Sequence, residues 1–97
     1  MFDKLKALMD MQKKMQEIKR ELDNSSFEIS SPDGLIRISM NGSQEVRNVE
    51  ITGNFESLDK KKFEQTLKDT YNKAIKRSHE IAAEKMKNVT GLNLPGM

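Results

Sequence analysis

Hydrophobic residues recur along the first part of the chain at the spacing of an α-helix. The apolar positions are separated alternately by three and four residues, and neither glycine nor proline interrupts them. This period is typical of a helix that packs lengthwise against another helix. The pattern therefore predicts a helix over residues 2–22. It also assigns five side chains to a core or dimer seam: Leu8, Met11, Met15, Ile18 and Leu22.

The middle of the chain alternates apolar and polar residues, as β-strands with one buried face do. The apolar positions are Phe27 and Ile29, then Ile36, Ile38 and Met40, then Val46, Val49 and Ile51. In the third group the spacing changes from even to odd, which predicts a β-bulge near Asn48. Residues 26–52 are therefore predicted to form a three-stranded antiparallel sheet.

Two turn signals separate these strands. Ser31-Pro32-Asp33-Gly34 has proline at the second position of a β-turn and glycine at the fourth, which is a favoured arrangement. Asn41-Gly42 predicts a type I′ hairpin turn, because both central residues of that turn require a positive φ. The first strand pair and the second are thus each expected to be joined by a short connection.

Helical spacing returns after a short loop and continues almost to the end of the chain. Ser57 or Asp59 can cap this second helix. Its apolar positions extend from Phe63 to Val89, which predicts a helix over about 59–89 and a tail over 90–97. Residues 1–97 are therefore expected to form a single domain of the α+β class, with the order α-β-β-β-α.

The lengths of the helices predict self-association. The second helix would be about 43 Å long, whereas a compact domain of 97 residues is only roughly 30–35 Å across. Its apolar stripe must then continue beyond the sheet, and exposed apolar stripes mark interfaces. A homodimer whose helices project beyond a shared central sheet is the arrangement that these features favour.

The charge is unevenly distributed, although the formal net charge is only +2. Residues 1–22 have six basic and four acidic side chains, residues 23–56 have two and six, and residues 57–97 have nine and five. The positive charge therefore lies on the two predicted helices. Lysine side chains suit contact with phosphates. The residues alone do not decide whether the partner is a nucleic acid or a protein.

No feature of the sequence indicates catalysis. The chain has no cysteine, its single histidine (His79) has no recognisable partner motif, and its glycines form no phosphate-binding loop. We therefore predict no catalytic residue, no metal site, no cofactor and no small-molecule substrate. The apolar runs are too short to cross a membrane. A chain without disulfides suits the reducing cytoplasm.

Several motifs, taken in order, resemble one known family. They are Met9–Glu17, Gly34–Ile38, Met40-Asn41-Gly42, Val46–Ile51, Tyr71–Ala74, Glu84-Lys85-Met86 and Leu94-Pro95-Gly96. As a set covering residues 1–97, they resemble the bacterial YbaB/EbfC family of nucleoid-associated DNA-binding proteins. The resemblance implies a tweezer-like homodimer with helical arms around a gap for duplex DNA. It also implies a place in the cytoplasm, on the nucleoid, with effects on nucleoid organisation and gene expression.

The leading hypothesis is a non-enzymatic dimer that binds double-stranded DNA through phosphates. The expected contacts are Lys6, Lys13, Arg20, Lys73, Lys76, Arg77 and Lys87. The chain differs from some members of the family in that its first helix lacks their glycine-rich extension, and its excess of positive charge is small. The alternative is a scaffold whose helical arms bind a partner protein, because a methionine-rich seam adapts to varied surfaces. Besides DNA and a second copy of the chain, the expected partners include a protein of DNA metabolism.

Overall fold

The chain forms two helices around a three-stranded sheet. A computed structural model describes residues 2–90. The elements are α1 (Phe2–Asp23), β1 (Ser26–Ser30), β2 (Ile36–Asn41), β3 (Val46–Ile51), a 3₁₀ turn (Phe55–Ser57) and α2 (Lys60–Thr90). The strands are antiparallel in the order β1-β2-β3. The predicted α-β-β-β-α fold is confirmed. Of the tail predicted over 90–97, only Thr90, the last residue of α2, lies within the described residues.

The core lies between one face of β2 and α2. Ile36, Ile38 and Met40 alternate along β2 and are buried together with Ala74 of α2. Their cross-strand partners on β1 and β3 are also apolar, for example Ile29 opposite Ile38 on β1. Because residues directly opposite each other share a face of the sheet, the three strands present one continuous apolar face. Helix α2 packs on β2 and β1.

The predicted bulge lies in β3. Ser39 is opposite Asn48, whereas the next residue of β2, Met40, is opposite Val46. Arg47 is therefore the extra residue of a β-bulge, next to the predicted position at Asn48. Because of this insertion, Val46 and Val49 lie on the same face although they are three residues apart.

The first turn forms as predicted, whereas the predicted type of the second is wrong. The backbone N–H of Gly34 donates to the carbonyl of Ser31 (2.9 Å). In the β2–β3 hairpin the positive φ falls at Gln44 (64°), not at Asn41 or Gly42. The backbone N–H of Asn41 donates to the carbonyl of Glu45 (3.1 Å), so the loop between this last hydrogen-bonded pair has three residues, 42–44. The cause is the buried side chain of Asn41, whose Oδ1 accepts the backbone N–H groups of Ser43 and Glu45 (both 3.0 Å).

The tip of this hairpin joins the two helices. The backbone N–H of Gly42 donates to the carbonyl of Leu22 at the end of α1 (3.0 Å). On α2, the fully buried Ser78 Oγ donates to the carbonyl of Asn41 (3.0 Å) and accepts the N–H of Gln44 (3.1 Å). These contacts hold the end of α1 and the middle of α2 at the end of the sheet where the β2–β3 hairpin lies.

The helices extend well beyond the sheet. The described residues measure 67 × 24 × 17 Å, and their radius of gyration is 18.3 Å. A compact chain of this length would have a radius of about 12–13 Å. Helix α1 is buried against the rest of the chain at Ile18, which is 4% exposed, and Leu22 is half-buried. Leu8 and Met11 are 64% and 63% exposed, so the first half of α1 projects as an arm.

Candidate nucleic-acid interface

One face of α2 has a regular series of charged residues. Helix α2 begins after Asp59, whose Oδ1 accepts the backbone N–H of Lys62 (3.2 Å), so Asp59 is the cap rather than Ser57. From there, charged side chains follow at steps of seven, four, three, four and seven residues: Lys62, Asp69, Lys73, Lys76, Glu80 and Lys87. Such steps keep side chains on one side of a helix. The series, which we call the basic stripe, is about 37 Å long.

The first half of the basic stripe borders a groove. The β1–β2 turn (Pro32 and Asp33) lies opposite α2, and between them is an open groove of about 610 Å³. Three lysines line it: Lys62, Lys73 and Lys76. Lys73 and Lys76 are among the residues that the sequence predicted as phosphate contacts, and the structure places them in one groove.

Lys62 is an addition to the predicted contacts. It lies in the Lys60-Lys61-Lys62 cluster at the start of α2, where the helix dipole disfavours cations. Its separation from Lys73 is eleven residues, which equals that between Lys76 and Lys87. Eleven residues make about three helical turns, so this spacing is the sequence signal that could have identified it.

Arg77 and Glu80 form an exposed ion pair on α2. The distance between Arg77 Nη1 and Glu80 Oε2 is 3.3 Å, and both side chains are about half exposed. An exposed pair of this kind contributes little to stability. The guanidinium can therefore exchange its carboxylate partner for a phosphate at small cost.

The predicted contacts on α1 lie elsewhere on the molecule. Lys6, Lys13 and Arg20 are all exposed. Lys6 and Lys13 flank a shallow depression formed by α1 alone, on the arm that projects from the sheet. A single chain therefore does not bring these two lysines together with the groove beside the β1–β2 turn. Any duplex that contacts both sets must be held by a larger assembly or must lie along the full length of the molecule.

The chain also has large exposed apolar surfaces. On α1 the exposed apolar side chains are Leu5, Leu8, Met9, Met11 and Met15. On β3, Val46, Val49 and Ile51 are exposed although they share a face of the sheet with the core of β2. Helix α2 adds Leu67 and Tyr71. Monomeric proteins rarely leave so much apolar surface in contact with water, so these surfaces indicate an interface.

Other kinds of site find no support in residues 2–90. No group of three or more histidine or acidic side chains there is arranged to hold a metal ion. Within the same residues, no helix is long and apolar enough to span a membrane. His79 is exposed on α2.

The fold and the basic stripe define the class: a small α-β-β-β-α protein with a charged helical face that suits a polyanion. Residues 1–93 match the model of the YbaB/EbfC DNA-binding family, and the chain belongs to that family. A nucleoid-associated protein of Prochlorococcus marinus (strain MIT 9301) is 36% identical over 98 aligned positions, which cover 94% of this chain and 81% of that protein. The family is one of DNA-binding nucleoid-associated proteins and not of enzymes.

A solved structure shows the same fold. The crystal structure of the uncharacterized protein HP0035 from Helicobacter pylori superposes with a TM-score of 0.79. The alignment covers 94% of this chain and 98% of the other, with 23% sequence identity. At that identity the likeness concerns the fold alone.

Proposed function

We propose that this protein binds double-stranded DNA as a homodimer, mainly through phosphate contacts. By this binding it alters DNA conformation, nucleoid organisation and gene expression in the bacterial cytoplasm. Membership of a DNA-binding family supports the choice of partner. The observation that carries the proposal for the site is the basic stripe on α2, where Lys62, Lys73 and Lys76 border one open groove.

Phosphate contact is the expected mode because of the residue types. Lysine is a point charge on a flexible stem, which suits phosphate oxygens better than the edges of bases. We assign the contacts to the predicted residues and, in addition, to Lys62 of the groove. The predicted contacts on α2 are Lys73, Lys76, Arg77 and Lys87, and those on α1 are Lys6, Lys13 and Arg20. Binding of this kind depends little on DNA sequence and strongly on salt.

The second copy in the homodimer covers the exposed part of the α1 seam. Ile18 and Leu22 at the end of the seam are packed within the chain, whereas Leu8, Met11 and Met15 continue the same row into solvent. A seam with this period fits another helix with a matching seam, and a second copy provides one. Such a dimer would also bring two sets of α1 and α2 cations into one assembly.

Salt titration of a random duplex, followed by fluorescence anisotropy, tests the mode of binding. If about six phosphates are contacted, the slope of log K against log salt should be near −5. Reversing the charge of Lys73, Lys76 and Arg77 to Glu should weaken binding to all duplexes alike. The matched control reverses Lys60, Lys61 and Lys68, which lie on α2 outside the basic stripe, and should lose much less. A flat salt response would refute phosphate-dominated binding.

The molecular mass in solution tests the dimer. The chain has a mass of 11.1 kDa, and light scattering should give twice that value. Leu8→Glu with Met11→Glu should produce a monomer with unchanged helix content, because a charge buried in the seam is costly. Exchange of an exposed residue on the side of α1 away from the seam, such as Lys13→Glu, should leave the dimer intact. A monomeric wild-type protein at micromolar concentration contradicts this part of the proposal.

A protein scaffold is the second candidate function. The methionines of the α1 arm favour it, since methionine packs adaptably against varied surfaces. One experiment distinguishes the scaffold from a DNA-binding protein. The scaffold is favoured if the purified protein fails to shift a random duplex at moderate salt in the absence of any other protein.

A further inference from the structure

The lysine-lined groove contains a carboxylate from the opposite wall. Asp33, in the β1–β2 turn, lines the groove together with Lys62, Lys73 and Lys76. It also lines a smaller adjoining cavity of about 270 Å³, again together with Lys62. A phosphate that enters the groove to reach these lysines therefore meets a group of its own charge.

Hydrogen bonds fix the position of this carboxylate. Asp33 Oδ1 accepts the hydroxyl of Ser31 (2.6 Å) and the backbone N–H of Leu35 (3.0 Å). Ser31 is itself buried, and its Oγ accepts the backbone N–H of Ile36, the first residue of β2 (3.0 Å). The carboxylate is thus anchored to the sheet, whereas the lysines are on flexible stems that can move towards it.

The carboxylate is ionised under all conditions in which DNA binding would be measured. The hydrogen bond from Ser31, followed by that from Leu35, lowers the pKa of Asp33 below its ordinary value of 3.8, and the charge of Lys62 adds to this effect. The turn itself does not require the charge. An asparagine at this position would still offer an oxygen to both donors, and asparagine side chains form the same kind of turn.

We propose that Asp33 competes with DNA phosphates for the lysines of the groove, above all for Lys62, and so lowers the affinity for every duplex. The inference rests on the proposed function, since it concerns the same groove. Carboxylates and phosphates both accept charge-assisted hydrogen bonds from lysine. Because phosphates carry no sequence information, the weakening applies to all sequences alike.

Asp33→Asn tests the inference, since it removes the charge and keeps the oxygen that the turn uses. With a random duplex at low salt, it should bind about three to ten times more tightly than the wild type, and the difference should shrink as salt screens the charges. One additional phosphate contact per chain is two per dimer, which should steepen the log–log salt slope by about 1.8. Glu64→Gln is the matched control, because it removes one carboxylate from α2 outside the basic stripe.

A coupling measurement identifies the lysine concerned. If Asp33 pairs with Lys62 in the free protein, Lys62→Ala should lower the DNA affinity of the wild type only slightly. The same substitution should lower the affinity of the Asp33→Asn protein clearly more. Equal losses in the two backgrounds would contradict the coupling. Asp33→Ser repeats the test with another residue that forms such turns. Thermal melts verify that each variant is folded at the assay temperature.

The outcomes separate the two proposals. Wild-type binding combined with no gain in Asp33→Asn over Glu64→Gln overturns the inference and leaves DNA binding in place. Absence of binding by the wild type and by every variant contradicts the proposed function. Binding by the Asp33 variants alone supports both, because it shows a competent site that the carboxylate suppresses.

Discussion

Gly42, at the tip of the β2–β3 hairpin, is the position at which a single methyl group should disturb the junction of the two helices. A Cβ atom on this residue would lie 3.0 Å from Leu22 Cδ2, 3.2 Å from the carbonyl oxygen of Leu22 and 3.2 Å from Ile81 Cγ2. Carbon atoms in comfortable contact are about 3.5–4.0 Å apart. The methyl group therefore requires α1, α2 or the loop to move by several tenths of an ångström.

Two opposing effects determine how far Gly42→Ala changes the free energy of unfolding. Overpacking of this kind costs about 1–3 kcal/mol. Replacing glycine by alanine also reduces the conformational entropy of the unfolded chain. Where the backbone conformation suits alanine, this stabilises the folded state by about 0.4–1 kcal/mol. Gly42 does not have a positive φ, so the second effect applies. For Gly42→Ala we expect a net loss of about 1 kcal/mol, which lowers the Tm by about 4–8 °C for a domain of this size.

Circular-dichroism melts measure this change in Tm. All variants are compared at one protein concentration, because the Tm of the proposed dimer depends on concentration. Gly34 is the matched control: its φ is +74° and no atom lies within 4 Å of a Cβ placed on it. At Gly34, asparagine should be better tolerated than alanine, since asparagine accepts a positive φ. At Gly42 the order should reverse, because size matters there and φ does not. An unchanged or raised Tm for Gly42→Ala would refute the reasoning.

Three further predictions concern buried or anchored polar groups. Ser78→Ala should lower the free energy of unfolding by about 1–2 kcal/mol in urea titrations, because two hydrogen bonds to the hairpin are lost; an unchanged midpoint would contradict this. Asn41→Ala should cost at least about 2 kcal/mol in the same titrations, since it removes a fully buried amide that accepts the backbone N–H groups of Ser43 and Glu45 and donates to the carbonyl of Asp23. It should cost more than Ser78→Ala, and the reverse order would contradict the role of Asn41. The charge of Asp33 should add stability relative to Asp33→Asn above pH 3.8, and this advantage should disappear as the pH falls through the lower pKa of the folded state. An advantage that persists unchanged in strong acid would show that the charge is not its source.

Local patterns predicted most of the secondary structure. The spacing of apolar residues located both helices and all three strands, and the change of spacing beside Asn48 located the bulge. Asp59 was one of two predicted caps. These features depend on residues close together in the chain, so sequence periodicity and turn chemistry are sufficient to identify them.

The hairpin turn shows where local reasoning failed. Asn41-Gly42 is a strong signal for a two-residue turn, yet the loop has three residues and places Gln44 at positive φ. Burial of the Asn41 side chain beneath the two helices explains the difference, because its amide oxygen then binds the loop backbone. Gly42 is needed for close approach to Leu22 and Ile81 and not for its φ.

The sequence by itself determined the order of elements, the family and the location of positive charge on the two helices. Only the tertiary structure decided which part of the α1 seam is buried, because burial depends on how far α2 extends beside α1. It also brought Asp33 opposite Lys62, residues 29 positions apart in the chain. Their proximity depends on packing α2 across β2, and residues that meet through such packing share no local pattern.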